Sequence, residues 1–218
     1  MIRSYITMLL GVLAPIAASA QDDEPAHKRF EGRLLAGVNM SQVAGSSYSG
    51  YHKPGINAGG MVLVHLNEIF STSMELLYAQ KGVRGAHEEY SYAQGEFFDK
   101  YYLNLNYAEV DVMLHADGYM MGYEAGLGYA QLIGSKEWAE ADVPVLFDPV
   151  LCRFNTYDVE YVAGIYRRLN DNWKVNFRLQ YSAVTIRPAD RVLPRYSDGH
   201  NELNNLAFLR LVYTIPSK

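Results

Sequence analysis

Nine ionisable residues recur inside otherwise apolar or small-residue segments of this 218-residue chain: Glu75, Glu109, Asp111, Glu124, Asp158, Glu160, Lys174, Arg178 and Arg210. Closely opposed carboxylates could work as acid and base, or pass an ion. Brought face to face with cations, they would instead satisfy one another in a structural network, and this is the role assigned to them. Two other groups invite chemistry. His87-Glu88-Glu89-Tyr90 and Glu96-Phe97-Phe98-Asp99 offer oxygen ligands to a hard cation, yet their spacing follows no ligand motif and reads as a solvated acidic loop. The aromatics around them, Tyr90, Tyr92, Phe97, Phe98, Tyr101 and Tyr102, are costly to expose and should fold onto a rim or a partner. Ser197, Asp198 and His200, with His52, contain the residue types of a hydrolase triad, which is recognised by geometry and not by proximity in sequence. Gly-x-Ser-x-Gly is absent, and Ser197-Asp198-Gly199-His200 reads as a turn. No catalytic, cofactor-binding or metal-ligating residue is therefore assigned. The lone thiol, Cys152, has no partner for an internal disulfide.

The elements that must position the nine charges are strands. Alternation of period two runs through 34–41, 56–66, 70–79, 107–114, 123–130, 157–166, 173–182 and 206–213, with one apolar face in each. The cleanest sets Trp173, Val175, Phe177, Leu179 and Tyr181 against Lys174, Asn176, Arg178, Gln180 and Ser182. These are eight strands of about ten residues, the length that crosses a bilayer when tilted. Asn67-Glu68, Asp117-Gly118 and Asn170-Asp171 mark tight turns. Long links around 43–54, 82–100, 134–153 and 184–202 alternate with them. Proline cannot donate to a sheet ladder. Pro54, Pro144, Pro149, Pro188 and Pro194 all fall in the proposed long links, and Pro25 and Pro216 at the ends.

Composition removes other classes. The chain is 49% hydrophobic and 20% charged, with 18 Gly and 18 Tyr, 19 Lys+Arg and 24 Asp+Glu; collagen, disordered and disulfide-scaffold compositions look different. Neither the net charge of −5 nor any basic run gives nucleic acid a positive stripe. Arg3, the apolar run 8–14 and Ala18-Ser19-Ala20 read as a cleavable signal peptide over 1–20, followed by a polar tail at 21–30, a barrel domain at 31–215 and a short end at 216–218. No later run approaches the roughly 18 apolar residues of a spanning helix.

Which face meets oil decides the class. Tyr78, Tyr123, Tyr157, Trp173, Tyr181 and Tyr213 lie on the apolar face near strand ends, where rings with a polar tip suit the headgroup level. The opposite face holds both signs of charge together with Gly126, Gly128 and Gly164, small enough to leave those side chains room. The expected fold is all-β: an eight-stranded antiparallel up-and-down transmembrane barrel with short periplasmic turns and long extracellular loops, its interior filled by side chains. The expected partners are the outer-membrane bilayer and a protein or surface ligand at the long loops, with no cofactor and no nucleic acid. A small-solute channel, motivated by the polar interior, and a soluble periplasmic cup with its apolar face inward are the alternatives.

Four phrases then stand in order: Gly37-Val38-Asn39-Met40-Ser41-Gln42, Gly50-Tyr51-His52-Lys53-Pro54-Gly55, Glu75-Leu76-Leu77-Tyr78-Ala79-Gln80-Lys81-Gly82 and Leu105-Asn106-Tyr107-Ala108-Glu109-Val110. Together they resemble the PorT-type outer-membrane β-barrel family of Gram-negative bacteria over about 31–215. The resemblance implies an eight-stranded barrel in the cell outer membrane and, through the founding member, a link to a protein-secretion apparatus. It brings no catalytic or ligand set. The chain departs from that pattern at Asp111, where proline usually follows Glu-Ile, and at its end, where Tyr213 stands five residues inside.

Overall fold

A computed structural model describes residues 29–91, 95–141 and 145–216. The proposed leader and most of the polar tail after it lie outside the described residues. Eight strands follow one another around a closed barrel: β1 (Phe30–Ala44), β2 (Lys53–His65), β3 (Phe70–Ser91), β4 (Gly95–Ala116), β5 (Gly122–Ala141), β6 (Tyr157–Arg168), β7 (Trp173–Ser182) and β8 (Leu203–Thr214). Every neighbour is antiparallel, and β1 pairs with β8 from Arg33↔Thr214 to Ala44↔Leu203, which leaves the sheet without an edge where the ring is complete.

Asparagine chemistry makes two of the three turns at one end. Asn67 Oδ1 accepts the backbone N–H groups of Ile69 and Phe70 at 2.9 and 2.7 Å, and Asn170 Oδ1 accepts those of Asn172 and Trp173 at 3.0 and 2.9 Å. Such a side chain substitutes for a backbone acceptor and so reverses the chain within a few residues. The third turn closes through Gly118 N–H donating to the Met121 carbonyl at 3.1 Å.

At the opposite end the structure departs from the alternation reading. Residues 82–91 and 95–100 continue β3 and β4 as a long hairpin, and β5 runs on to Ala141, so much of what reads as loop is strand. The period is obscured there by Gly82, which has φ +130° and leaves Lys81, Gly82 and Val83 all buried in succession. A Cβ at Gly82 would stand 2.0 Å from the Leu103 carbonyl oxygen. A register shift beside Asn106 and Tyr107 likewise re-aims the upper part of β5. Pro54 also proves to lie in a strand, opposite Met40. It is the second residue of β2, exposed, beyond the point where β2 begins to pair with β3 at Asn57, and the first residues of a strand tolerate a missing donor.

The apolar face is outside. Leu76, Leu114 and Leu179 are 58%, 63% and 50% exposed, and Leu34, Val62, Val112, Leu127, Leu209 and Leu211 surround the cylinder with them. A contiguous band of this kind belongs against lipid. It overturns the soluble-cup alternative, which needs these side chains within. On β7 the band runs from Trp173 to Tyr181 through Phe177 and Leu179, eight steps of about 3.3 Å or about 26 Å along a tilted strand, close to the height of an outer-membrane apolar belt. Phe177→Arg in mid-belt should destabilise the membrane-inserted barrel by about 2–4 kcal/mol. Urea unfolding in liposomes, read by tryptophan fluorescence, would measure it; an unchanged midpoint would contradict a lipid-facing Phe177.

Candidate functional site

Alternation sends every second side chain of eight strands into a bore that those side chains fill, so the interior pairs its own charges. Arg178 of β7 stands at the centre. Its Nη2 and Nη1 donate to the two oxygens of Glu75 on β3 at 2.8 and 3.0 Å, Nη1 also to Asp111 on β4 at 3.1 Å, and Nε to Glu124 on β5 at 2.7 Å. A planar fork of five donors suits this better than an ammonium would. Arg210 of β8 adds Glu75 at 3.3 Å and is held by Asn176 Oδ1 at 2.9 Å. Asn176 donates in turn to Glu124 at 3.0 Å. Glycines leave the space: a Cβ at Gly128 would lie 2.6 Å from Asp111 Oδ1, and one at Gly164 2.8 Å from Glu124 Oε1.

A second layer lies one step toward the long-hairpin end. Lys81 Nζ is 2.5 Å from Glu109 and 2.5 Å from Glu160, and Gln180 donates to the other Glu160 oxygen. Asp158 Oδ2 accepts Ser182 Oγ–H at 2.6 Å and Asn204 Nδ2–H at 2.9 Å. Eight of the nine charges singled out in sequence therefore occupy these two layers, all buried. Lys174 does not join them. It sits near the turn end with its Nζ 4.9 Å from the Tyr166 ring centroid and, among the described residues, makes no ion pair. Its strand position is only one residue inside β7, too far down to reach the carboxylates.

Sequence reading missed Lys81, although it shares a face with Glu75 six residues earlier; extending the alternation by one pair would have included it. Nothing periodic could have indicated the third layer. There Arg187, from the β7–β8 link, donates to Glu202 at 2.7 and 3.2 Å and to both oxygens of Glu137 at 2.9 Å, and Tyr101 donates to Glu137. Burial opposes the charge on Arg187, but Glu202, Tyr101 and Glu137 together outweigh it and hold the guanidinium above its ordinary range. Over Arg187 the same link folds into the barrel mouth. Two 3-10 turns, Ala189–Arg191 and Pro194–Tyr196, bring Tyr196 to 4.6 Å from Tyr101 centroid to centroid, and Tyr48 from the β1–β2 link stacks on Tyr101 at 5.5 Å. Val43, Val83, Leu103, Leu105, Ile186 and Val192 pack around these rings.

The outward aromatics divide between the two ends. Trp173 lies 4.9 Å from Tyr213 near the turns, with Tyr123 also exposed there. Tyr78, Tyr157 and Tyr181 lie toward the other end, where Tyr157 stacks on Tyr129 at 6.2 Å and Tyr78 donates to Asn106 at 2.8 Å. The Ser197–His200 segment is a turn: Ser197 Oγ accepts the Gly199 N–H at 3.1 Å, and His200 is bonded to Asp198 at 3.2 Å. The acidic side chains from His87 to Asp99 lie outside what is described. Cys152 is a buried free thiol whose pKa burial pushes up.

Residues 19–183 match the model of the outer membrane protein beta-barrel domain family. No curated protein matches the chain in sequence. Among solved structures, Ail, the attachment invasion locus protein of Yersinia pestis, is similar at 15% identity and TM-score 0.44, over 85% of this chain and 98% of its own. OprG from Pseudomonas aeruginosa is similar at 9% and 0.36, over 86% and 95%. Neisserial surface protein A is similar at 11% and 0.35, over 84% and 97%.

Arg178→Ala should cost about 3–5 kcal/mol, because Asp111 would remain buried without its cation and Glu75 and Glu124 would be left to share Arg210. Adding Glu75→Gln should recover part of the loss. Urea midpoints of the three proteins in detergent would show this, and equal midpoints for wild type and Arg178→Ala would mean that the network contributes nothing.

Proposed function

The chain belongs to the outer membrane protein beta-barrel domain family, and from that membership we propose that it is a poreless scaffold, set in the outer membrane to hold a binding surface at its long-hairpin end. The turn end then faces the periplasm and the hairpin end the exterior, as short turns and long outer loops do in such barrels. Export uses the signal peptide at 1–20. The six rim aromatics, Tyr78, Tyr123, Tyr157, Trp173, Tyr181 and Tyr213, anchor the two lipid interfaces. The nine interior charges have a structural role and no enzymatic one. The partner at the outer surface is a protein or a surface ligand. The PorT-type phrases favour a place beside a secretion apparatus.

The observation that carries this reading is the double closure of the bore. Arg178, Glu75, Asp111 and Arg210 are buried in the middle, and Tyr48, Tyr101 and Tyr196 close the mouth above them. A small-solute channel would need both to move. Two measurements test the proposal. The purified protein should migrate as a heat-modifiable band from the membrane fraction, and it should show no discrete conductance steps in planar bilayers. Stable single-channel openings would replace the scaffold with the channel.

A further inference from the structure

We propose that the notch between the β1–β2 link and the protruding β3–β4 hairpin is a binding site for a phosphorylated saccharide; this rests on the outer-surface scaffold reading and names its ligand class. The notch exists because β2 stops at Lys53 while β3 and β4 continue past it. It encloses a cavity of about 620 Å³, within the size range of small-ligand sites, lined by Ser47, Ser49, His52, Arg84, Lys100 and Tyr102 among others. Its lining includes the Arg84 guanidinium and the His52 imidazole.

Arg84 is the centre of the argument. Its guanidinium lies 5.3 Å from the centroid of Tyr102, whose ring stacks on Trp138 at 4.9 Å and 8°. Lys136 Nζ lies 5.1 Å from the Trp138 centroid. A guanidinium fixed against an aromatic keeps its N–H fork free for an anion and loses little side-chain entropy on binding. Arg84 is exposed, so its fork can meet an anion arriving from solution. Such a fork fits the paired oxygens of a phosphate.

The facing wall is also built. Ser47 N–H donates to the Tyr196 carbonyl at 3.0 Å, Gly50 N–H to Gln42 Oε1 at 2.8 Å and His52 N–H to the Gly50 carbonyl at 3.0 Å. Gly50 has φ +99°, and a Cβ there would stand 2.5 Å from His52 Cε1, so the imidazole is seated directly over the glycine. The exposed hydroxyls of Ser47 and Ser49 can donate and accept, which suits sugar hydroxyls. Height favours a saccharide as well. Arg84 is six residues beyond Tyr78 on β3, about 20 Å along the tilted strand, which lifts the notch clear of the level where rim tyrosines sit. That is where the sugars of a glycolipid in the same leaflet would project, and where a free glycan would arrive.

The test uses the full protein in phosphatidylcholine nanodiscs. Mannose 6-phosphate is titrated against mannose and followed by saturation-transfer NMR. In parallel, native mass spectrometry counts retained lipopolysaccharide carrying phosphorylated core sugars, beside the same lipid dephosphorylated. The phosphorylated probe should bind saturably and its uncharged counterpart should not. Binding of the free sugar alone points to a soluble glycan and retention of the lipid alone to a glycolipid, each supporting the site. Arg84→Ala should weaken binding about tenfold, the loss expected for a charge-assisted hydrogen bond, and Arg84→Lys should restore part of it. Arg153→Ala, at an exposed cation outside the notch, should leave it unchanged; an equal loss there would reduce the effect to general surface charge and overturn the proposal. Absence of phosphate-dependent binding by both probes would overturn it too. A heat-modifiable band from every variant separates these outcomes from failure of the barrel reading, in which that band itself is missing.

Discussion

A sheet that meets hydrocarbon on its outer face can leave no N–H or C=O without a partner, and closure follows from that alone. Eight strands close around a bore just wide enough for side chains. Each strand must then turn its polar alternates inward, where they have to receive one another. The Arg178 cluster answers this requirement. One guanidinium reaches Glu75, Asp111 and Glu124 on three different strands, and Gly128 and Gly164 supply the volume it needs. The outer belt and the inner network are thus two results of one pattern, and neither can slip register by a single residue without placing charge in lipid.

How much of this was legible in the sequence depended on whether the period held. From Trp173 to Ser182 it holds throughout, and the strand, its faces and the inward place of Arg178 can be read directly. At Gly82 it breaks, because a residue without a side chain at positive φ re-aims the strand; the hairpin beyond it therefore reads as a loop, and Lys81 just before it escapes notice. Proline misled for the opposite reason, since Pro54 at the start of β2 removes a donor where β2 does not yet pair with β3. Arg187, Glu202 and Tyr196 carry no periodic signal. Their meeting depends on how a link of irregular structure settles into the mouth, and a single sequence does not encode that geometry in any local pattern.

The rim at the hairpin end is lopsided. β3, β4 and β5 rise well beyond β6, β7 and β8, and the β7–β8 link folds inward instead of standing up. The rigid parts above the lipid are therefore a three-stranded wall on one side and a plugged mouth on the other. The wall continues the strand pairing of the barrel past the shift at Asn106 and Tyr107, so side chains along it, such as Arg84, Tyr102 and Trp138, stand on hydrogen-bonded strands, a footing that a loop cannot provide.

The central ion pairs are chords across a ring. Arg178 and Glu75 are 103 residues apart in the chain, and Arg210 and Glu75 are 135 apart, yet neither pair joins adjacent strands. Such contacts form only after most of the chain has been arranged, which slows folding as long-range contacts generally do. The same pairs must all be broken before a strand can peel away, so what they add falls on the unfolding barrier. For a protein that is assembled once and then remains in its membrane, persistence is set by that rate more than by the equilibrium.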